Sequence, residues 1–200
     1  MEPGNGGKLQ NDTAQFIAGS EFNDIYLHEV YWGQTLAAVR TVLPKDLPIF
    51  VVANWDRFDQ IPFVDACSYI GLSAYFPLIE SPSANTSTES LVGGWQKWRN
   101  RLVSYSRSVN RPLYFAELGY SSIVTAAATP WDYAGNAAQD LGLQARLFEA
   151  LNRAWAQTPE LHRIMIWSLN PSAEPLKDRG FDVFGKPAEQ AVNNLLRSNP

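Results

Sequence analysis

The chain has 200 residues, 46% hydrophobic and 18% charged, with a formal net charge of -4. That balance excludes a disordered chain and gives enough length for one domain with a substantial core. The acidic charge argues against a nucleic-acid partner, no 18-residue apolar run is present to suggest a membrane span, and a single cysteine, Cys67, rules out an intrachain disulfide and a cysteine-rich metal site.

The first residues, "MEPGNGGKLQND", are polar and glycine-rich and lack the apolar core of a signal peptide. Read plainly, such a start is cytoplasmic. A lost preceding segment would leave the same start, so the compartment stays open. A weak strand pattern follows, "AQFIAGSEF" (14–22), then a helix over 31–43 that stops before Pro44. "PIFVVANW" (48–55) reads as the second strand, and 59–67 as a short helical turn. "SYIGLSAYFPL" (68–78) is the third strand. A helix over 89–109 has basic residues toward its end, where they suit the helix dipole. "PLYFAELGY" (112–120) is the fourth strand, and the clearest helix covers 136–157 and ends before Pro159. "HRIMIWSLNP" (162–171) is the fifth strand, and a helix over 186–198, with Pro187 in its first turn, closes the chain.

The strands' apolar parts are continuous rather than alternating, the mark of parallel strands covered on both faces. Strands alternating with helices make an α/β chain with a parallel sheet. The long loops 79–88 and 120–135 both follow strand C-termini, the end that carries the chemistry in such folds.

Two strands end in an acid: Glu21 in "AGSEF" and Glu117 in "FAELGY". They are 96 residues apart, about three units of a (β/α)8 barrel at ~31 residues per unit. Both acids therefore sit at one rim of one sheet, three strands apart. A lone glutamate after a strand more often neighbours a helix cap or faces solvent. Two at matching strand ends, each inside an apolar run, favour function. Paired carboxylates suit glycoside hydrolysis, where one protonates the leaving oxygen and the other attacks or activates water. The acid needs a raised pKa, which apolar neighbours such as Phe22 would supply, and the nucleophile wants a hydrogen bond from a group such as a tyrosine hydroxyl.

The same rim offers Asn54 and Trp55 after the second strand, Tyr75 after the third, and Trp167 and Asn170 after the fifth. Flat aromatic faces with directional hydrogen bonds suit sugars, although Tyr75 and Trp167 read equally well as core aromatics. Asp24 and Asp56 read as loop or capping residues. No phosphate-binding glycine loop and no G-x-S-x-G elbow is present. His28 and His162 have no ligand company, so neither a metal nor a cofactor is expected.

The segments "IAGSEF", "VANWD", "PFVDACSYIGLSAYFPL", "FAELGYSS", "TPWDY" and "GKPAEQAV" together resemble glycoside hydrolase family 113, in order, from about residue 14 to 195. The resemblance implies a TIM barrel with catalytic glutamates after its fourth and seventh strands, and β-mannanase activity. Carried over, Glu21 would be the general acid/base and Glu117 the nucleophile. Tyr75 would hydrogen-bond near Glu117, Trp167 would form the floor under the reacting sugar, Asn54 and Trp55 would line the rim, and Trp131 would cover the cleft. Ser20 stands where many enzymes of the wider clan have asparagine. The implied reaction is retaining hydrolysis of a β-1,4-linked mannan or manno-oligosaccharide, with carboxyls about 5–5.5 Å apart.

The expected architecture is then a partial (β/α)8 barrel, about strands 4–8 with their helices, in a single domain over 1–200 that lacks the first three βα units. An open five-strand sheet leaves two edges with unpaired backbone groups. Self-association or a missing N-terminal part would have to cover it. Two other readings stay open: a barrel fragment or sugar-binding module that does not turn over, and a β-glucanase or xylanase using the same machinery.

Overall fold

The computed structural model describes residues 15–82, 86–132 and 136–198. The N-terminal tail, Ala14 of the first predicted strand and Tyr133 of "TPWDY" lie outside these residues. Five strands form one sheet: β1 (Phe16–Ser20), β2 (Ile49–Asn54), β3 (Ile70–Ser73), β4 (Leu113–Leu118) and β5 (Leu161–Ile166). They are all parallel and lie in chain order. The helices are α1 (Glu29–Val42), α2 (Thr88–Val109), α3 (Leu141–Trp155) and α4 (Ala188–Ser198). Single 3-10 turns at Asn23–Leu27, Phe58–Gln60 and Val64–Ala66 fill the connections, the last two overlapping the short helical turn expected at 59–67.

The inner strands behave as continuous apolar runs should. β2 and β3 are buried along almost their whole length. On the helix side, Phe115 of β4 meets Trp95 of α2 at 6.2 Å and Trp155 of α3 at 5.0 Å between ring centroids. All three are fully buried, and burying one such side chain stabilises by about 1.5–3 kcal/mol. On the other side of the sheet, Tyr114 packs on Phe50 and Tyr69. The outer strands are less covered, as an open partial barrel would be. Phe16 and Ile17 on β1 and Met165 on β5 are exposed, and each outer strand has a neighbour on one side only.

Helix ends follow local chemistry. Ser87 caps α2 by accepting from Ser90 N at 3.2 Å, and Asp140 caps α3 by accepting from Leu143 N at 2.7 Å. The Asp140 cap starts α3 five residues later than 136, and Gln139 just before it bridges to Ile123. The third strand ends at Ser73 rather than running to 78. Beyond it, Leu78 N and Ile79 N bond to Ala127 O in the loop after β4, not to a strand. α4 begins at Ala188, after Pro187, because Lys186 turns inward: its Nζ donates to Asp178 Oδ2 at 2.6 Å, Ser122 Oγ at 3.1 Å and Gly180 O at 3.1 Å. Among the described residues no helix is long and apolar enough to cross a membrane.

Candidate active site

The C-terminal ends of the strands surround a cleft of about 520 Å3. Glu21 stands one residue past β1, with its backbone in the left-handed region (φ 57°). Its N–H still reaches Val52 O at 2.8 Å, which anchors this turn to β2. Asn54 ends β2 and donates from Nδ2 to Asn23 Oδ1 at 2.8 Å. Trp55 follows. It stacks face to face on Trp131, with centroids 5.2 Å apart and planes at 15°, and is backed by Phe76 and Trp98 edge-on.

Glu117 reaches the cleft through a β-bulge. Leu72 pairs with Phe115, but the next residue of β3, Ser73, pairs with Glu117. The other neighbour shows the same surplus, with Phe115 opposite Ile164 and Leu118 opposite Ile166. Ala116 is thus an extra residue in β4. Strict alternation would put Glu117 on the helix face with Phe115, and the extra residue turns it to the opposite face.

Tyr75 Oη donates to Glu117 Oε2 at 3.1 Å. Burial pushes the Glu117 carboxyl above the usual carboxylate range. The Tyr75 bond pulls it back down, and the negative charge of Glu21 adds to the rise. Burial, then the charges of Glu117 and Glu21, push the Tyr75 phenol far up, so it stays a proton donor. Trp167 is half exposed on the cleft wall, and its backbone N–H bonds to Leu118 O at 2.8 Å. Gly119 makes that approach of β4 and β5 feasible, since a Cβ there would collide with Trp167 O.

Of the residues singled out from the sequence, Glu21, Asn54, Trp55, Tyr75, Glu117, Trp131 and Trp167 all line this one cleft. Ser20 ends β1, exposed, and is not part of the lining. Two lining residues were missed. Asp56 follows Trp55, where the sequence reads as a loop or capping residue. Phe181 comes from the loop before α4 and meets Tyr75 edge-on at 6.1 Å. Phe181 carries no periodic signal, whereas Asp56 sat next to a rim residue. Phe22 does not bury Glu21 as expected. Its ring turns toward Tyr26 and Trp32, and both Glu21 and Phe22 are exposed. Among the described residues no group of His, Cys, Asp and Glu is placed to hold a metal ion.

Two glutamates and an aromatic wall at the C-terminal rim of a parallel α/β sheet suit the chemistry of glycoside hydrolases. The chain belongs to Glycoside Hydrolase Family 113, which it matches over residues 9–186. Among solved structures it is similar to the GH113 β-mannanase from Alicyclobacillus acidocaldarius in complex with ManMIm. The identity is 29% and the TM-score 0.75, over 90% of this chain and 54% of that one. A GH113 β-1,4-mannanase complex gives 22% identity and a TM-score of 0.78, over 94% of this chain and 57% of that one. A Ruminococcus gnavus β-glucuronidase shares the fold at 16% identity and a TM-score of 0.60, over 89% of this chain and 31% of that one. The chain spans about half the length of the mannanase chains it matches. A comparison with curated proteins finds no match.

Proposed function

We propose that this chain carries the cleft of a retaining glycoside hydrolase for β-1,4-mannosidic linkages, with Glu117 as nucleophile and Glu21 as general acid/base. The observation that carries the reading is the Tyr75–Glu117 hydrogen bond inside a cleft that Glu21 also lines. In the first step the ionised Glu117 oxygen bonds to the anomeric carbon while Glu21 gives its proton to the departing glycosidic oxygen. In the second, Glu21 takes a proton from water, the water oxygen bonds to the anomeric carbon, and the bond to Glu117 breaks. Tyr75 holds the attacking carboxylate in place, and the exposed rings of Trp167 and Trp131 bind the sugar rings.

The open outer strands belong to the same proposal. Phe16, Ile17 and Met165 are exposed, and three further βα units would close the sheet into an eight-stranded barrel and cover them.

The test is hydrolysis of β-1,4-mannohexaose, with the anomer of the first product read by NMR. Turnover with retention that falls at least ~10²-fold in both Glu117→Gln and Glu21→Gln supports the pair. A folded chain that binds mannohexaose without releasing product favours the sugar-binding reading. Faster turnover of β-glucan or xylan than of mannan would change the substrate.

A further inference from the structure

A second cavity, of about 750 Å3, lies beside the cleft and shares Trp131 with it. One wall is the segment after β3, which contributes Glu80. The other is the first half of α2, which contributes Ser90, Gly93, Lys97 and Trp98. The two cavities are joined by aromatic rings. Trp131 stacks on Trp55, which lines the cleft, and Trp98 meets Trp55 edge-on at 5.7 Å.

Three features mark this groove as a binding surface. The Trp98 indole N–H is already bonded to Pro77 O at 2.8 Å, so the ring offers its apolar part alone. Among the described residues, the side chains of Glu80, Ser90 and Lys97 make no hydrogen bond or ion pair with protein, leaving three polar groups free for a ligand. The third feature is Gly93. Its neighbour Gly94 has a packing reason, because a Cβ there would collide with Leu78 O. A Cβ at Gly93 would meet nothing within 4 Å. Glycine in a helix interior is destabilising relative to alanine. At Gly93 it leaves the groove floor bare.

We propose that this groove holds the distal sugar units of the same neutral β-linked chain whose scissile bond lies at Glu21 and Glu117. The chain crosses Trp131 between the two cavities, and Lys97, Glu80 and Ser90 supply hydrogen bonds to its hydroxyls. The inference rests on the function proposed above, and it assigns the groove the selection of long chains over short ones.

The test measures binding by titration calorimetry in the full chain carrying Glu117→Gln, so that the ligand is not cleaved. Mannobiose reports the cleft, and mannohexaose reports cleft plus groove. Mannohexaose is expected to bind roughly tenfold more tightly, the contribution of about one good aromatic contact. Adding Gly93→Arg, which fills the groove from a half-buried helix position with open space before it, abolishes that preference and leaves mannobiose affinity unchanged. Adding Gly93→Ala preserves the preference. Equal affinity for the two ligands, or a preference that survives Gly93→Arg, overturns the groove and leaves the cleft assignment standing. Failure of both ligands to bind overturns the cleft assignment and the groove with it.

Discussion

Tyr75 Oη donates to Glu117 Oε2 at 3.1 Å, joining the segment beyond β3 to the end of β4. The bond places a proton donor against a half-buried carboxylate that burial pushes above its usual pKa. It stabilises the ionised form that a nucleophile needs, against the opposing effects of burial and of Glu21.

The first prediction concerns pH. With its folded pKa raised, Glu117 binds its proton more tightly in the folded state than in the unfolded one. The associated stability is complete below the unfolded value, near ~4.3, and is lost as pH rises through the folded value. Glu117→Gln should therefore be more stable than wild type at pH 7, and the gap should close below pH ~4. Urea unfolding at several pH values measures it, and a gap independent of pH would refute the assignment. In Tyr75→Phe the lost donor moves the carboxyl further up, so the decline starts at the same unfolded value and continues to higher pH than in the wild-type chain.

The backbone at Glu21 gives the second prediction. A left-handed conformation costs a residue with a Cβ roughly 1–2 kcal/mol, and the Glu21 side chain is exposed. Glu21→Gly should unfold at higher urea than Glu21→Ala, by about 1 kcal/mol. Equal stabilities would mean that the turn relaxes.

At Gly119 the direction reverses. Gly119→Ala sets a methyl group against Trp167 O and should destabilise by about 2 kcal/mol. Movement of Trp167 should also change the tryptophan fluorescence and weaken sugar binding. A variant as stable as wild type would show that β5 can move away at little cost.

The fourth prediction is at the base of α4. The Lys186 side chain is fully buried, against an Asp178 that is 29% exposed. Burial raises the Asp178 pKa, but the Lys186 ammonium and the backbone N–H groups of Gly180 and Arg179 outweigh it and hold it below the usual range. Lys186→Met should cost about 3 kcal/mol at pH 7. A lowered folded pKa gives stability that is present above the unfolded value and is lost as pH falls through the folded one. The wild-type contribution should therefore fade in acid, with a sign opposite to that of Glu117. Urea unfolding of both proteins at pH 7 and pH 3 separates the two effects.

Much of this architecture was legible in the residues themselves. Continuous runs such as "PIFVV" can be satisfied only by burial on both faces, and helical spacing with stops before Pro44 and Pro159 places the helices between them. Acids at matching strand ends put Glu21 and Glu117 at one rim. Aromatic and amide residues beside them pointed to Asn54, Trp55, Tyr75 and Trp167, because the C-terminal ends of parallel strands converge. Phe181 could not be read this way, since a loop residue takes its place from the fold around it and not from any period of its own.

What the tertiary structure alone decided was the facing of Glu117. Alternation along "LYFAEL" assigns Glu117 to the side of Phe115, beneath the helices. The bulge at Ala116 exists only in relation to Ser73 on one side and Ile166 on the other. A register is a property of two strands together, so no single stretch of chain encodes it. The exposure of Phe16, Ile17 and Met165 was likewise decided at the tertiary level: an apolar side chain is covered only where another element packs over it, and these three lie on the two outer strands. The residues by themselves determined which groups reach the rim, and the pairing of strands determined which of them face the cleft.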